Sequence, residues 1–219
     1  MARPPRLPRT ILAFGESPND THALRELTAA LRPDLPPAVP RQTPIILRKH
    51  IKPRTKRGMA DRIAAVVRAE AVTREVVAVL AHRDLDAREP RDDASGPHDN
   101  EADLHRTITA AVPGGCAVIP VVCAWEMEAW WFLWPEQVAA HRPSWRRLPV
   151  HDNQRVDRIG DAKETLKRAL RPKTHRHIPD FTESDGPRIA ARVREARAAR
   201  SPRGVAVAYQ RLIAALDAL

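Results

Sequence analysis

The sequence contains little cysteine and no long apolar run. Its two cysteines, Cys116 and Cys123, lie in one short apolar stretch, so no disulfide framework is expected. No charged and then apolar leader precedes Ile11, which predicts a cytoplasmic protein and not a secreted one. The longest apolar run, residues 116–124, falls well short of the ~18 residues needed to cross a bilayer. We therefore expect a cytoplasmic chain without a membrane partner.

Apolar and basic residues are the abundant classes. A chain of 219 residues with 43% hydrophobic content can bury one substantial core. The net charge of +10 is unevenly distributed: residues 41–57 contain seven basic and no acidic side chains, and residues 141–203 contain 17 basic and eight acidic ones. The remainder is net acidic. This division suits a polyanion held by basic flanks across an acidic centre, although an arginine-rich chain with solvated arginine faces is the alternative.

Strand-like and helical patterns alternate along the first part of the chain. Apolar runs predict strands at residues 10–14, 44–48, 76–81 and 116–124, and the proline-rich stretch 32–44 is expected to be an ordered loop. After Trp125 the patterns are helical only. The alternation predicts an α/β fold, with a compact Rossmann-like, mostly parallel sheet flanked by helices over residues 1–134. Residues 135–219 are predicted to form a basic, helical C-terminal extension packed on that core.

Acidic residues follow three of the predicted strands. Glu16 follows the first, Asp84 and Asp86 follow the third, and Glu126 and Glu128 follow the fourth. Parallel α/β sheets bind ligands at the carboxyl ends of their strands. Carboxylates that converge there can hold one or two Mg²⁺ ions against phosphate oxygens. The sequence therefore predicts a metal site at one edge of the sheet.

Several of these residues have a second interpretation. Asp20 is either a metal ligand or, with Ser17, part of a helix-capping box. Glu126 and Glu128 are two residues apart, so on a helix only one is expected to face the site, and Glu126 is favoured because it is nearer the strand end. His82 either assists a proton transfer or packs in the strand.

Three motifs together resemble a known family. The segments GESPND, RDLD and WEMEAWWF are similar to the GEGPTE, DxD and E-x-E-A-hydrophobic pattern of Toprim-related proteins, specifically the uncharacterised group DUF4276, with a fold like that of the OLD-nuclease Toprim domain. The DAKE segment at residues 161–164 is also similar. Two positions depart from the pattern: Ser17 replaces a glycine, and Asp20 is a shorter acid.

This resemblance implies a compact Toprim fold that uses Mg²⁺ or Mn²⁺ to act on nucleic-acid phosphodiesters. It matches Glu16, Asp84 and Asp86 to the family's site residues, with Glu126 as a further catalytic candidate and Asp20 as a further metal candidate. It also implies a nuclease of a defence or mobile-element system, acting on DNA or RNA, with a protein partner in the same system. From the basic segments, the predicted nucleic-acid contacts are Lys49, Lys52, Lys56, Arg57, Lys163, Lys167 and Lys173.

Other function classes remain open from the sequence. A catalytically inactive Toprim-like module that binds nucleic acid or regulates a partner would keep the same patterns. A nucleotide-sugar transferase could also use a DxD motif, but it fits the basic C-terminal half and Glu16 less well. Topoisomerase chemistry is disfavoured because the single tyrosine, Tyr209, is far in sequence from every acidic motif. The tryptophans of WEMEAWWF are interpreted as core or interface residues, with base stacking as the alternative.

Overall fold

Four parallel strands form the centre of the protein in a computed structural model, which describes residues 6–15, 17–43, 45, 53–86, 96–171 and 179–219. The strands are β1 (Arg9–Gly15), β2 (Ala38–Gln42), β3 (Glu75–Asp84) and β4 (Ala117–Cys123). They are arranged in the order β2-β1-β3-β4, and each pairs in parallel with its neighbour. The predicted α/β class with a mostly parallel sheet is confirmed.

Seven α-helices and two short 3₁₀ segments accompany the sheet within the described residues. The helices are α1 (Pro18–Leu31), α2 (Pro53–Ala71), α3 (Pro97–Thr109), α4 (Pro135–His141), α5 (Ala162–Leu170), α6 (Asp185–Glu195) and α7 (Val207–Asp217), and the 3₁₀ segments are Met127–Leu133 and Val156–Arg158. Proline occupies the first position of α1, α3 and α4, where the missing N–H costs nothing. No described helix is both long and apolar enough to cross a membrane.

The second strand lies earlier in the chain than predicted. β2 is Ala38–Gln42, inside the proline-rich stretch that was expected to be a loop, so that prediction was wrong. The reason is that β2 is an edge strand, and an edge tolerates a proline such as Pro40, whose missing N–H can face away from the sheet. Of the predicted strand at residues 44–48, only the buried Ile45 lies within the described residues.

Helices cover both faces of the sheet. On one face, α2 and α3 contribute side chains such as Ile63, Val67 and Leu104 to a core shared with β1 and β3. On the other face, α1 packs together with α6 and the remaining C-terminal helices in a larger core. The helices after residue 134 bury their apolar faces against α1 and the sheet, so they share one core with the sheet.

An aromatic group anchors the C-terminal helices on that second face. The Tyr209 ring makes edge contacts with Trp130 and Trp134, at centroid distances of 5.1 Å each, and its hydroxyl donates to the Ala199 carbonyl at 2.9 Å. Trp130, Trp131 and Trp134 are each at most 2% exposed, so their interpretation as core residues is confirmed. Tyr209 is likewise buried, and burial raises the pKa of its hydroxyl.

Removing the Tyr209 hydroxyl should destabilise the fold modestly. Tyr209→Phe leaves the Ala199 carbonyl without its donor inside the core, which should lower the free energy of unfolding by about 1–3 kcal/mol. Tyr209→Ala also deletes the ring and should cost about 3–5 kcal/mol. Urea unfolding followed by tryptophan fluorescence measures both changes. A Tyr209→Phe variant as stable as the wild type would show that the hydroxyl bond contributes nothing.

Candidate metal centre

The carboxyl ends of β1, β3 and β4 meet at one edge of the sheet. Asp84, the last residue of β3, pairs in register with Cys123, the last residue of β4. His82 precedes Asp84 by two residues and therefore points to the same face of the sheet, the face covered by α1 and the C-terminal helices. β1 ends beside it at Gly15, where a side chain would meet Thr21 at 3.0 Å and the His82 ring at 3.7 Å. The 3.0 Å contact is the tight one, so the glycine lets Thr21 of α1 pack against the end of β1, next to the His82 ring.

The His82 ring lies at the centre of the site. It is 1% exposed, and its Nε2 atom is 3.3 Å from Asp84 Oδ1 and 3.7 Å from Cys123 Sγ. Its Nδ1 atom is 3.8 Å from Asp20 Oδ2. The ligand atoms of His82, Asp84 and Cys123 all lie within 4.8 Å of one another, so this buried group could hold a metal ion.

Asp20 belongs both to the start of α1 and to the site. Ser17 is the N-cap of α1 and accepts from the Asn19 N–H at 3.2 Å, so the capping interpretation holds for Ser17. The Asp20 carboxylate, in the first turn of α1, lies beside His82. The helix cap therefore positions Asp20 at the sheet edge.

The two glutamates after β4 face different surroundings. Glu126 has an extended backbone and precedes the 3₁₀ segment, and its Oε2 atom accepts from the Lys163 backbone N–H at 2.8 Å, in the first turn of α5. Glu128 is 7% exposed and interacts electrostatically with Asp84 and Asp20. Glu128 is thus a member of the acidic group, although the sequence pattern favoured Glu126 over it. An extended residue followed by a 3₁₀ turn orients these side chains differently from the α-helix that was assumed.

Burial and mutual repulsion make the charged forms of these acids costly. Burial, together with Asp84 and other carboxylates, raises the pKa of Glu128 to about 8. Burial also raises the pKa of Asp20 to about 6, although His82 opposes the rise. Burial lowers the pKa of His82, but the Asp84 and Asp20 carboxylates outweigh it and the net shift is upward. Burial next to these acids raises the pKa of the Cys123 thiol well above its usual range.

Buried acids elsewhere in the protein have basic partners. Asp185 lies 3.1 Å from Arg142, Asp157 lies 2.7 Å from Arg155, and Glu101 lies 2.8 Å from Arg211. Across the described residues, no lysine or arginine forms an ion pair with Asp84 or Glu128. Among the described residues, Asp84 and Glu128 therefore lack the paired arginine that each of these structural acids has.

The remaining predicted catalytic residues are less central or not described. Asp86 is exposed and has a left-handed backbone with φ of 49°. Its N–H donates to the Trp125 carbonyl at 3.2 Å. Burial raises the pKa of Glu126, and the Asp86 carboxylate adds a smaller upward contribution. Asp86 thus lies on the Glu126 side of the site and is absent from the His82 group. Glu16 lies outside the described residues, so its role as a ligand stays a prediction.

The predicted nucleic-acid contacts are mostly ion-paired where they are described. Lys56 pairs with Asp103 of α3, Lys163 pairs with Glu183, and Lys167 pairs with Glu164 at 2.6 Å. Arg57 is exposed on α2. The segment 41–57 has no acid of its own, but the fold supplies acids from other elements. Lys49, Lys52 and Lys173 lie outside the described residues.

Comparison of the chain with models of known protein families, with curated proteins and with solved structures gives no match. The fold and site thus define the chain as a parallel α/β protein with a buried group that could hold a metal ion.

The raised pKa values predict a specific pH dependence of stability. Glu128 has an ordinary pKa of 4.5 when unfolded and a pKa of about 8 when folded. Its contribution to stability is therefore fully present below the lower value and is lost as pH rises through the higher one. Between these two pH values, in EDTA, the free energy of unfolding of the wild type should fall by about 1.4 kcal/mol per pH unit more than that of Glu128→Gln. Asp20 and His82 act in the same direction.

Urea unfolding at pH 5.5 and pH 7.5 tests this dependence. Exposed Glu195→Gln on α6 is the matched control and should keep the wild-type pH dependence. Equal pH dependence in Glu128→Gln and wild type would contradict the assignment of Glu128 to a crowded acidic group.

The Glu126 contact predicts a second difference between variants. Glu126→Ala removes the acceptor at the first turn of α5 and should lower the free energy of unfolding by about 1 kcal/mol. Glu126→Gln keeps an acceptor oxygen and should lose at most about half as much. Thermal unfolding of the two variants measures the difference. If Glu126→Gln is as destabilised as Glu126→Ala, the charge and not the acceptor is what stabilises the helix.

Proposed function

We propose that the protein is a metal-dependent nuclease, or a related phosphoryl-transfer enzyme, acting on nucleic-acid phosphodiesters. The observation that carries this proposal is the group of carboxyls at the sheet edge. Glu128 is buried and Asp20 and Asp84 are partly buried, the three interact electrostatically, and neither Asp84 nor Glu128 forms an ion pair with a lysine or arginine among the described residues. Such an arrangement destabilises the isolated protein, and perturbed groups of this kind cluster at functional sites. The resemblance of the three motifs to Toprim-related proteins supports the same class.

The donor set fits Mg²⁺ or Mn²⁺, which take carboxylate oxygens as ligands. Asp84 would be the central ligand, and its Oδ1 is a buried oxygen without a hydrogen-bond donor among the described residues. Asp20 and Glu128 interact electrostatically with Asp84 and would move closer to it to complete the set, since these three described carboxylates do not all lie within 4.8 Å of one another. Glu16, which follows β1 in the sequence, and Asp86 stay predicted ligands. A bound divalent ion would supply charge stabilisation at the phosphate and activation of water.

The chain's own residues would orient the phosphodiester. His82 lies between Asp84 and Asp20, with its ring nitrogens 3.3 Å and 3.8 Å from the two carboxylates, and would attract both of them when protonated. Lys163 pairs with Glu183, and its charge interacts with Glu126 and Glu128, so its ammonium group lies within electrostatic range of the acidic group. There it could contact a phosphate oxygen and exchange its partner Glu183 for the substrate. Such a contact would bring one cation against the substrate.

Cleavage of nucleic acid should depend on both the metal and Asp84. Asp84→Asn keeps the size of the side chain but removes its charge, so cleavage should fall at least about 100-fold, beyond the usual 10- to 100-fold cost of losing an outer-shell partner. The measurement is cleavage of labelled single- and double-stranded DNA and RNA in Mg²⁺, in Mn²⁺ and in EDTA.

Asp61→Asn, at an exposed position on α2 on the opposite face of the sheet, is the matched control and should cleave like the wild type. Undiminished cleavage by Asp84→Asn, or cleavage in EDTA, would contradict the proposal. Binding of nucleic acid without cleavage under every condition would instead favour the inactive binding or regulatory module.

A further inference from the structure

The candidate ligand atoms of His82, Asp84 and Cys123 are a nitrogen, an oxygen and a sulfur. His82 Nε2, Asp84 Oδ1 and Cys123 Sγ come from adjacent strands and lie within 4.8 Å of one another. Mg²⁺ binds oxygen ligands almost exclusively, whereas imidazole and thiolate favour zinc and similar borderline ions. The donor set at this position therefore differs in chemistry from the all-carboxylate set proposed above.

Two of the three separations between these atoms match a tetrahedral ion. Zinc bonds of about 2.0–2.1 Å to nitrogen and oxygen and about 2.3 Å to sulfur imply ligand separations of roughly 3.3 Å for N to O and roughly 3.5 Å for N to S or O to S. The separations in the protein are 3.3 Å from His82 Nε2 to Asp84 Oδ1 and 3.7 Å from His82 Nε2 to Cys123 Sγ. The third separation, between the Asp84 and Cys123 ligand atoms, is within 4.8 Å, so one ion could contact all three atoms once these two side chains move closer together.

The surroundings of the ring favour the same arrangement. His82 and Cys123 are at most 2% exposed, and Asp84 Oδ1 has no hydrogen-bond donor among the described residues. The other ring nitrogen, Nδ1, faces the Asp20 carboxylate at 3.8 Å. A carboxylate behind a ligating histidine fixes the tautomer that leaves the opposite nitrogen free for the metal. Asp20 is thus placed as the outer partner of His82.

We propose that His82, Cys123 and Asp84 bind a borderline divalent cation of the Zn²⁺ class, at a position that shares Asp84 with the carboxylate site. Binding transfers the Cys123 thiol proton to solvent and involves no change of oxidation state. The inference rests on the proposed function only through Asp84, because the nitrogen and sulfur donors are independent of nuclease chemistry. The competing arrangement is a simple S–H to imidazole hydrogen bond with no ion.

Cobalt titration of the full-length, tag-free chain tests this site. Co²⁺ bound to a thiolate gives a near-ultraviolet charge-transfer band, and tetrahedral coordination gives intense visible bands. Both should appear at one equivalent of Co²⁺, disappear when Zn²⁺ is added, and persist in excess Mg²⁺. Proton release of about one per bound Zn²⁺, measured by calorimetry in buffers of different ionisation enthalpy, is expected alongside.

The second cysteine provides the matched control. Cys123→Ser should abolish the charge-transfer band, whereas Cys116→Ser, at the half-buried position before β4, should keep it. His82→Gln should abolish the tetrahedral visible bands. Circular dichroism checks that each variant is folded, and Cys123→Ala is the substitute if the buried serine prevents folding.

Absence of the charge-transfer band in the wild type, or its loss in Cys116→Ser but not in Cys123→Ser, would overturn the inference. The spectra test the mixed-donor site, and the cleavage assay tests the nuclease proposal, so either proposal can be contradicted without the other. Bands without cleavage would contradict the nuclease alone, and Mg²⁺-dependent cleavage without bands would contradict the mixed-donor site alone.

Discussion

The site depends on the parallel alignment of three adjacent strands. Because β1, β3 and β4 run in the same direction and β3 lies between the other two, the residues at their carboxyl ends meet at one edge. The register pairs Asp84 with Cys123, and the strand period of two puts His82 on the same face as Asp84. Gly15 leaves room for Thr21 of α1 beside the imidazole. If β3 shifted by one residue, His82 and Asp84 would turn to the opposite face and the group would be lost.

Electrostatics separates this edge from the rest of the protein. The structural acids Asp185, Asp157 and Glu101 are each neutralised by an arginine, as expected for charges that only have to be buried. Asp20, Asp84 and Glu128 lie near one another, and burial together with this repulsion makes the charged forms costly and raises the pKa of Glu128 and Asp20. This cost is a reason to expect a cation here, since a bound ion would remove it. The same physics makes the isolated protein sensitive to pH.

The C-terminal helices complete the site as well as the core. The buried Trp130–Tyr209–Trp134 contacts hold α7 against the segment that follows β4, and the Glu126 carboxylate binds the first turn of α5. Lys163 is brought by that turn to the neighbourhood of Glu126 and Glu128. The basic C-terminal region thus contributes a cation near the acidic edge, while much of its remaining charge is used in ion pairs such as Lys167–Glu164.

The sequence alone determined the fold class and indicated acids after the strand ends, because strand runs, helical periodicity and residues after strand ends are local patterns. It also identified Trp130, Trp131 and Trp134 as core residues, whereas Trp125 is only half-buried. Tertiary structure decided what local patterns do not encode. The proline content around β2 indicated a loop, but β2 lies at an edge of the sheet, where proline is tolerated. Cys123 joins His82 only through the β3–β4 register, and Glu128 turns inward because the segment after β4 is a 3₁₀ turn and not an α-helix. The pairing of Lys56 with Asp103 likewise depends on α2 packing near α3, since the two residues are far apart in the chain.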